Sequence, residues 1–196
     1  PPTPTSIYAS TKRDQEEMSL MIGQAYNIPT VALRYFNIYG PRQSLSNPYT
    51  GVFAIFASRI LSGQAPVVFE DGRQSRDFVH VSDIARANIL ATENERANGQ
   101  VYNVGTGVPT TVLQVASALA ERLAPSIEPE VAVRYRVGDI RHCYADISKI
   151  RQDLGFTPRV SLDRGIETFV EQIRDQQATD RLETALQELE SRRLIV

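Results

Sequence analysis

The chain has 196 residues, of which 42% are hydrophobic and 22% charged, and its formal net charge is −2. This length allows one complete domain or part of a larger one. The composition predicts a globular protein that has no membrane partner. Because the sequence has no basic stripe, we also expect no nucleic-acid partner. The single cysteine, Cys143, excludes an internal disulfide and is typical of the reducing cytoplasm, where we expect the protein to act.

The first half of the chain alternates predicted helices and strands. Apolar residues at helical spacing predict a helix over 8–26, and the apolar run 30–36 predicts a strand buried on both faces. A loop rich in Gly, Pro, Ser and Asn is expected from Asn37 to Thr50. The remaining elements predicted up to residue 104 are a helix over 52–61, strands over 67–69, 78–81 and 101–104, and a helix capped by Ser82 that ends near Thr92.

The second half of the chain continues this alternation. Its predicted elements are a helix over 112–123, strands over 131–135 and 142–145, and helices near 147–153, 162–175 and 179–192. Because strands and helices alternate almost throughout, the fold class is α/β. The last helix is highly charged, so we expect it to be a peripheral element that faces solvent.

Tyr8 and Lys12 form the pair with the clearest chemical meaning. Residues four apart on a helix share a face, so both side chains can point into one site. A free tyrosine has a pKa of about 10, and a tyrosine that acts as a base near neutral pH needs about 4 kcal/mol of preference for its phenolate. A nearby ammonium supplies part of that preference. An exposed first helical turn without any catalytic role would carry the same pair, so the motif alone leaves both interpretations open.

Further motifs follow this pair in a fixed order along the chain. They are Tyr8-Ala-Ser-Thr-Lys12, Leu33 to Gln43, Asp71-Gly72, Arg76 to Asp83, Tyr102 to Gly105, Gly138 to His142 and Leu154 to Phe156. Together they resemble the extended short-chain dehydrogenase/reductase family and, more narrowly, its NAD-dependent nucleotide-sugar epimerases. The resemblance covers the chain from its start to about residue 172. The stretches 43–51 and 138–146 are most similar to dTDP-L-rhamnose 4-epimerases, with UDP-glucose/galactose 4-epimerases as the second assignment.

The resemblance implies a fold and a domain organisation. It implies the C-terminal part of a Rossmann-like doubly wound parallel sheet, together with a smaller α/β substrate-binding domain. Residues 1–50 would complete the NAD-binding domain, to which 77–104 returns in part, while 51–176 would bind mainly the nucleotide sugar and 177–196 would form a peripheral helix.

Family members begin with a Gly-rich strand-turn-helix that receives the NAD pyrophosphate, and they place a Ser or Thr upstream of the tyrosine. Neither feature occurs in these residues. Gly105-x-Gly107 lacks the third glycine and is interpreted as an ordinary helix entry. We therefore expect a C-terminal fragment that lacks the N-terminal NAD-binding half and is inactive alone.

The implied activity is epimerisation at C4 of a nucleotide sugar through a transient 4-keto sugar, with NAD as a bound cofactor. The resemblance makes Tyr8 the base, and Lys12 binds the cofactor beside it, while Tyr35 approaches the nicotinamide carboxamide. A nucleotide-sugar 4,6-dehydratase and a non-catalytic nucleotide-binding relative remain alternatives. Arg34-Tyr35-Phe36-Asn37 favours the epimerases over the dehydratases.

The resemblance also implies a set of substrate-binding residues, whose partner is a dTDP- or UDP-linked sugar. Arg76 and Arg136 would bind the diphosphate through bidentate bonds, and Asn37 would donate to a phosphate oxygen. The helix entry at Gly51 and Val52 would meet the nucleotide. Val67 and Phe69 would flank its base, and Asp139 would accept from a ribose hydroxyl. Alternatively, Arg76 and Asp77 form a surface ion pair and Asn37 caps a turn.

The two histidines, His80 and His142, are not arranged as metal ligands, and His80 is interpreted as a structural residue. Relatives of this kind dimerise through the helix that carries the tyrosine. We therefore expect a homodimer formed by the helix over 8–26, with the helix over 51–62 or one further upstream as its neighbour.

Overall fold

The computed structural model describes residues 3–45, 51–132, 134, 139–174, 187 and 191. It confirms the α/β class. The helices are α1 (Ile7–Tyr26), α2 (Val52–Leu61), α3 (Val81–Glu93), α4 (Val112–Leu123), α5 (Ser148–Leu154) and α6 (Leu162–Ile173), with a short 3-10 helix at Glu95–Ala97. The strands are β1 (Ala32–Tyr35), β2 (Asn37–Tyr39), β3 (Val67–Phe69), β4 (Ser75–Arg76), β5 (Phe78–His80), β6 (Val101–Val104), β7 (Thr110–Thr111), β8 (Glu130–Ala132) and β9 (His142–Cys143).

Most strands pair in parallel, as the sequence predicts. β1 pairs with β6, β2 with β5 and β3 with β8, each in parallel. β4 lies in the centre of a three-stranded sheet, parallel to β9 and antiparallel to β7. Because parallel neighbours require a crossover connection, helices separate the paired strands in the sequence. The end of β1, the start of β2 and strand β4 carry three of the candidate site residues, namely Tyr35, Asn37 and Arg76.

Two hydrophobic clusters hold these elements together. The first contains the inner faces of α2, α4 and α6, and Tyr39 stacks on Phe53 within it with ring centroids 4.1 Å apart. The second surrounds β6 and includes apolar residues of α3 and α5. Because Phe53, Phe56 and Ile60 of α2 all lie in the first cluster, most of the apolar surface of α2 is buried in the core.

Helix α1 packs on the rest of the chain through a narrow face. Gly23 is its one buried residue, and a Cβ placed there would lie 2.2 Å from Thr30 Oγ1, so the glycine permits a close approach to the following segment. Closer to the middle of the helix, both nitrogens of the Arg34 fork donate to the Glu16 carboxylate over 2.6 Å. The side of α1 away from Gly23 exposes Ile7, Met18, Met21 and Ile22, and Tyr26, on the same side of the helix as Tyr8, is also exposed.

Two local predictions are wrong, and two short strands are not predicted at all. The expected loop from Asn37 begins instead with strand β2, because the Asn37 amide donates to Asp77 O and the strand pairs with β5. The helix expected to be capped by Ser82 is α3, which begins at Val81 with His80 as its N-cap, since His80 Nδ1 accepts from the Ser82 amide. The short strands β4 and β7 are absent from the sequence-based prediction.

Other bounds shift by a few residues. The strand predicted over 131–135 is observed as Glu130–Ala132, with part of the predicted span outside the described residues, and the one over 142–145 ends at Cys143. The helix predicted over 179–192 also lies outside the described residues. Among the described helices, none combines the length and apolar character that crossing a bilayer requires.

Candidate functional site

Tyr8 and Lys12 lie together in the first two turns of α1. Ser6 caps this helix by accepting from the Ala9 amide over 3.1 Å, which fixes where the helical spacing begins. Lys12 Nζ lies 5.6 Å from the centroid of the Tyr8 ring and donates to Gln15 Oε1 over 3.1 Å. The Tyr8 side chain is 71% exposed, so its hydroxyl is accessible to a ligand. The predicted shared face is therefore present.

Tyr35 ends strand β1, where the polypeptide leaves the β1–β6 pair. Its hydroxyl donates to Asn88 Oδ1 over 2.8 Å, and Asn88 is itself fixed because its Nδ2 donates to Ile84 O over 2.8 Å. The Tyr35 side chain remains exposed. The hydroxyl is thus held by helix α3, while the ring is open to a ligand.

Arg76 and Asp139 form a second pair, which the sequence analysis assigns to two separate tasks. Arg76 Nη2 donates to Asp139 Oδ1 over 2.9 Å, and Arg76 Nη1 donates to the carbonyls of Ser75 and Arg141. The arginine side chain is 14% exposed and that of the aspartate 44%. Three of the five N–H donors of Arg76 are thus used, and the other two have no partner among the described residues. The alternative of a surface ion pair between Arg76 and Asp77 is wrong, because Arg76 pairs with Asp139 and Asp77 is buried.

Arg141 connects the Asp139 segment to the turn after strand β3. Its Nη1 donates to Glu70 Oε2 over 2.7 Å and its Nη2 to Asp71 Oδ2 over 2.6 Å. The hydrogen bond from Arg141 is the main cause that lowers the pKa of the Asp71 carboxyl below its usual value. Arg141 therefore fastens the turn after β3 to the segment that carries Asp139. Arg141 has no predicted role in the sequence-based site, and Arg136, which has one, lies outside the described residues.

Two predicted contacts to the nucleotide lie at the starts of elements, Asn37 at the start of strand β2 and Gly51 at the start of helix α2. Asn37 is half-buried at the first position of β2, directly after β1. Gly51 is the N-cap of α2 and has no side chain to satisfy the first amides, and Val52 begins the helix. A helix that begins without a side-chain cap presents free N–H donors, which is a suitable arrangement for an anionic group.

Strand β3 presents two apolar side chains on one face. Val68 is fully buried, whereas Val67 and Phe69 are half-buried on the other face, as the alternation of a strand requires. The carbonyl of Phe69 accepts from Gln74 Nε2 over 2.9 Å, which holds the turn that follows β3. The positions expected to flank a base therefore share a face of β3.

Two buried carboxylates are missing from the sequence-based site. Asp77 is 0% exposed, accepting hydrogen bonds from Thr106, Gly107 and Ala145. Asp83 is 1% exposed and accepts from backbone amides of residues 159 and 160. The position of Asp77, directly before the apolar strand residues Phe78 and Val79, is the signal that could have identified it.

His80 is buried and structural, as predicted. Its Nδ1 lies 2.7 Å from Ser82 Oγ, and burial lowers the pKa of the imidazole, although the charge of Asp83 opposes this shift. The helix entry after Gly107 is also an ordinary one, since Thr111 and Gln114 form a capping box at the start of α4.

The contacts thus form two separate groups. Tyr8 and Lys12 belong together on α1, and Arg76 and Asp139 belong together beside β9. No hydrogen bond or ion pair joins the two groups within residues 3–45, 51–132, 134 and 139–174. Chemically, the first group combines a phenol and an ammonium, and the second combines a guanidinium with a carboxylate.

Comparison with known proteins identifies the family. Residues 1–105 match the NAD dependent epimerase/dehydratase family, and the chain belongs to it. It is 37% identical over 165 residues to dTDP-L-rhamnose 4-epimerase of Burkholderia thailandensis, covering 84% of this chain and 45% of that protein.

Two solved structures give the same result. The chain resembles UDP-glucose 4-epimerase of Thermotoga maritima, solved with UDP-glucose, at 39% identity and a TM-score of 0.82, covering 88% of this chain and 55% of that one. It resembles UDP-glucose 4-epimerase of Thermus thermophilus, solved with NAD, at 36% identity and a TM-score of 0.79, covering 90% and 56%. The chain thus spans about half the length of the proteins it matches.

Proposed function

We propose that this chain forms the substrate-binding part of a nucleotide-sugar 4-epimerase. The observation that carries the proposal is the pair Tyr8 and Lys12 on one exposed face of α1, in a chain that belongs to the NAD dependent epimerase/dehydratase family. The first assignment is a dTDP-L-rhamnose 4-epimerase, and the second is a UDP-glucose/galactose 4-epimerase. The chain is similar to proteins of both names, at 37% and 39% identity, which supports a 4-epimerase of either substrate.

In this proposal Tyr8 accepts the proton of the C4 hydroxyl as the sugar is oxidised to its 4-keto form. Lys12 stabilises the phenolate through its charge, for which its position 5.6 Å from the ring centroid is suitable. When bound, NAD would supply the hydride acceptor for oxidation at C4 and the hydride donor for re-reduction. Because the 4-keto sugar rotates before it is reduced, its other face is then presented, and Tyr8 gives the proton back to the C4 oxygen, so the net change is inversion at C4.

The donor set on α1 fits a dinucleotide. An ammonium with three donors can bind both hydroxyls of a ribose, and Lys12 spends one described donor on Gln15. Tyr35 is proposed to lie beside the nicotinamide carboxamide, with its hydroxyl already held by Asn88. These residues do not provide a Gly-rich loop for the pyrophosphate. We therefore expect the 196 residues alone to be inactive, with turnover requiring an NAD-binding half.

The nucleotide is proposed to bind across β3, β4 and the start of α2. The two remaining donors of Arg76 face the diphosphate, and Asn37 with the uncapped amides at Gly51 and Val52 adds further donors. Val67 and Phe69 flank the base. Asp139 accepts from a ribose hydroxyl, and Arg136 is proposed as a second arginine on the diphosphate.

We also propose the domain division and the assembly expected from the sequence. Residues 1–50, with part of 77–104, complete an NAD-binding domain, 51–176 bind mainly the nucleotide sugar, and 177–196 are peripheral. The exposed apolar face of α1 supports a homodimer through that helix, whereas α2 is largely buried in the core. The lone Cys143 supports a cytoplasmic protein.

Expression of the complete open reading frame tests the proposed reaction. The protein is incubated with NAD and a panel of dTDP- and UDP-sugars, and the products are followed by proton NMR. Inversion at C4 with one of these sugars is the expected result. Loss of water to a 4-keto-6-deoxy product would instead identify a dehydratase. Binding of a nucleotide sugar without any turnover would identify a non-catalytic relative.

A further inference from the structure

Asp77 is a completely buried carboxylate that accepts four hydrogen bonds. Its Oδ1 accepts from the amide and the hydroxyl of Thr106 over 2.8 and 2.6 Å. Its Oδ2 accepts from the amides of Gly107 and Ala145 over 2.8 and 3.1 Å. All four partners are donors, which suits a side chain that only accepts when it is a carboxylate. Replacing the Asp77 carboxylate by an amide removes one of its two oxygen acceptors, so buried N–H groups that donate to that oxygen lose their partner.

These bonds join two segments that are distant in the sequence. Thr106 and Gly107 follow strand β6, whereas Ala145 lies two residues after strand β9. The parallel register of β4 and β9 pairs Arg76 with Cys143, so Asp77 holds the segment just beyond that pair. Asp77 thus fixes the end of the 139–145 segment.

The start of the same segment is held by the neighbouring residue of β4. Arg76 bonds to Asp139 and to the carbonyl of Arg141, and the Ser75 amide also donates to Arg141 O over 3.0 Å. Because β9 lies between these two attachments, a displacement at Ala145 would strain its pairing with β4. It would also change the position of Asp139 relative to Arg76.

Gly105 packs so closely against Asp77 that no side chain fits at this position. A Cβ at this glycine would lie 2.5 Å from Asp77 Oδ2 and 2.7 Å from the Ala145 Cβ. The glycine is needed for the approach of these groups. The carboxylate is therefore enclosed by β6 on one side and by the segment after β9 on the other.

We infer that Asp77 is the positioning residue of the proposed nucleotide site, an inference that rests on the proposed function. By bonding to Ala145, Thr106 and Gly107, it sets the relative position of Arg76 and Asp139, which bind the diphosphate and the ribose. Asp77 itself does not touch the ligand.

A second buried carboxylate provides the matched control. Asp83 accepts from the amides of Arg159 and Val160 over 3.0 Å and from Arg86 Nη2 over 2.9 Å. Its burial is comparable to that of Asp77 and it also accepts from backbone amides, but it is in addition paired with Arg86, and its bonds connect α3 to the segment before α6. A purely structural role predicts that the same substitution at the two positions has the same effect on a folded protein.

The test compares Asp77→Asn with Asp83→Asn in the protein expressed from the complete open reading frame. Affinities for UDP and dTDP are measured by calorimetry at a temperature where all variants are folded. Both substitutions should lower stability. Asp77→Asn should weaken nucleotide binding by about tenfold or more, whereas Asp83→Asn should change it by less than about twofold. The amide NMR signal of Ile140, which donates to Asp139 Oδ1, should shift only in Asp77→Asn.

The outcomes separate the two proposals. If the unchanged protein binds neither nucleotide, the proposed function is wrong. If it binds one of them and Asp77→Asn binds it as well as Asp83→Asn does, the positioning role is wrong. Should Asp77→Asn fail to fold, Thr106→Val removes the hydroxyl donor to Asp77, together with the acceptor of the exposed Val108 amide, and leaves the three backbone bonds to Asp77 in place. An affinity reduced about threefold supports the inference, and an unchanged affinity contradicts it.

Discussion

The attachment of α1 to β1 gives a prediction that can be worked from the structure. Glu16 lies one helical turn beyond Lys12 and accepts both prongs of the Arg34 fork over 2.6 Å. Its hydrogen bond is the main cause that raises the pKa of the Arg34 guanidinium. Glu16→Gln keeps the shape of the side chain but removes its charge and one of the two acceptors.

The expected loss of stability is about 1–2 kcal/mol. A hydrogen bond to a charged group contributes about 1.5–3 kcal/mol. The Glu16 side chain is 16% exposed, so its bonds are partly shielded, whereas Arg34 is 39% exposed and can be hydrated once its partner changes. This hydration reduces the cost below that of two lost charge-assisted bonds.

Glu17→Gln on the same helix is the matched control. Glu17 forms an exposed pair with Arg13 at a distance of 3.3 Å, with side chains 59% and 41% exposed, and its loss should cost less than about 0.5 kcal/mol. Urea denaturation gives both free energies of unfolding, and hydrogen exchange reports protection of α1. Equal effects of the two substitutions, or an unchanged exchange rate in α1 of Glu16→Gln, would refute the argument that this fork holds the helix.

Two further predictions concern the core. Gly165→Ala in α6 should destabilise the protein by about 1–3 kcal/mol even though alanine favours helices, because the new Cβ would lie 2.0 Å from the hydroxyl of the buried Tyr39. His80→Asn keeps an N-cap residue and removes a titrating group. Burial lowers the pKa of His80 below 6.5, the value of a free histidine. As the pH falls below 6.5, the histidine of the unfolded chain therefore binds a proton before that of the folded protein does. The free energy of unfolding then decreases by up to about 1.4 kcal/mol per pH unit. The substituted protein should lose less stability between pH 7 and pH 5.

Thermal unfolding checks the first of these, and urea denaturation at several pH values checks the second. Tyr39→Phe should partly rescue Gly165→Ala because it removes the nearest atom. A Gly165→Ala protein that is more stable than the unchanged one would contradict the packing argument. His142→Asn, at an exposed position, controls for loss of a histidine, and parallel pH curves for His80→Asn and the unchanged protein would contradict the role of burial.

The sequence predicts the longer elements well because their patterns are local. Apolar spacing identifies α1, and a capping-box residue at Thr111 identifies the start of α4. The missed strands depend on long-range contacts. β4 and β7 are two residues each and form only because distant segments pair with them. His80 caps α3 because its side chain turns back to the Ser82 amide, a choice that composition alone does not reveal.

The candidate site likewise has features that follow from local sequence patterns and others that depend on tertiary contacts. The spacing of Tyr8 and Lys12 predicts their shared face, because one helix fixes it. The pair of Arg76 and Asp139 requires two segments 63 residues apart to meet, so the sequence suggests each residue but not their contact. Burial of Asp77 is likewise a tertiary property, which explains why a surface pair with Arg76 remained an open alternative.

Replacement of Tyr8 tests the central claim most directly. Tyr8→Phe in the complete protein removes one hydroxyl, and Tyr26→Phe, at an exposed position on the same helix, is its matched control. C4 inversion is followed by NMR, and binding of the nucleotide sugar is measured by calorimetry. The proposal predicts that Tyr8→Phe abolishes inversion and leaves binding largely intact, while Tyr26→Phe changes neither. Inversion that persists in Tyr8→Phe would contradict the assignment of the base.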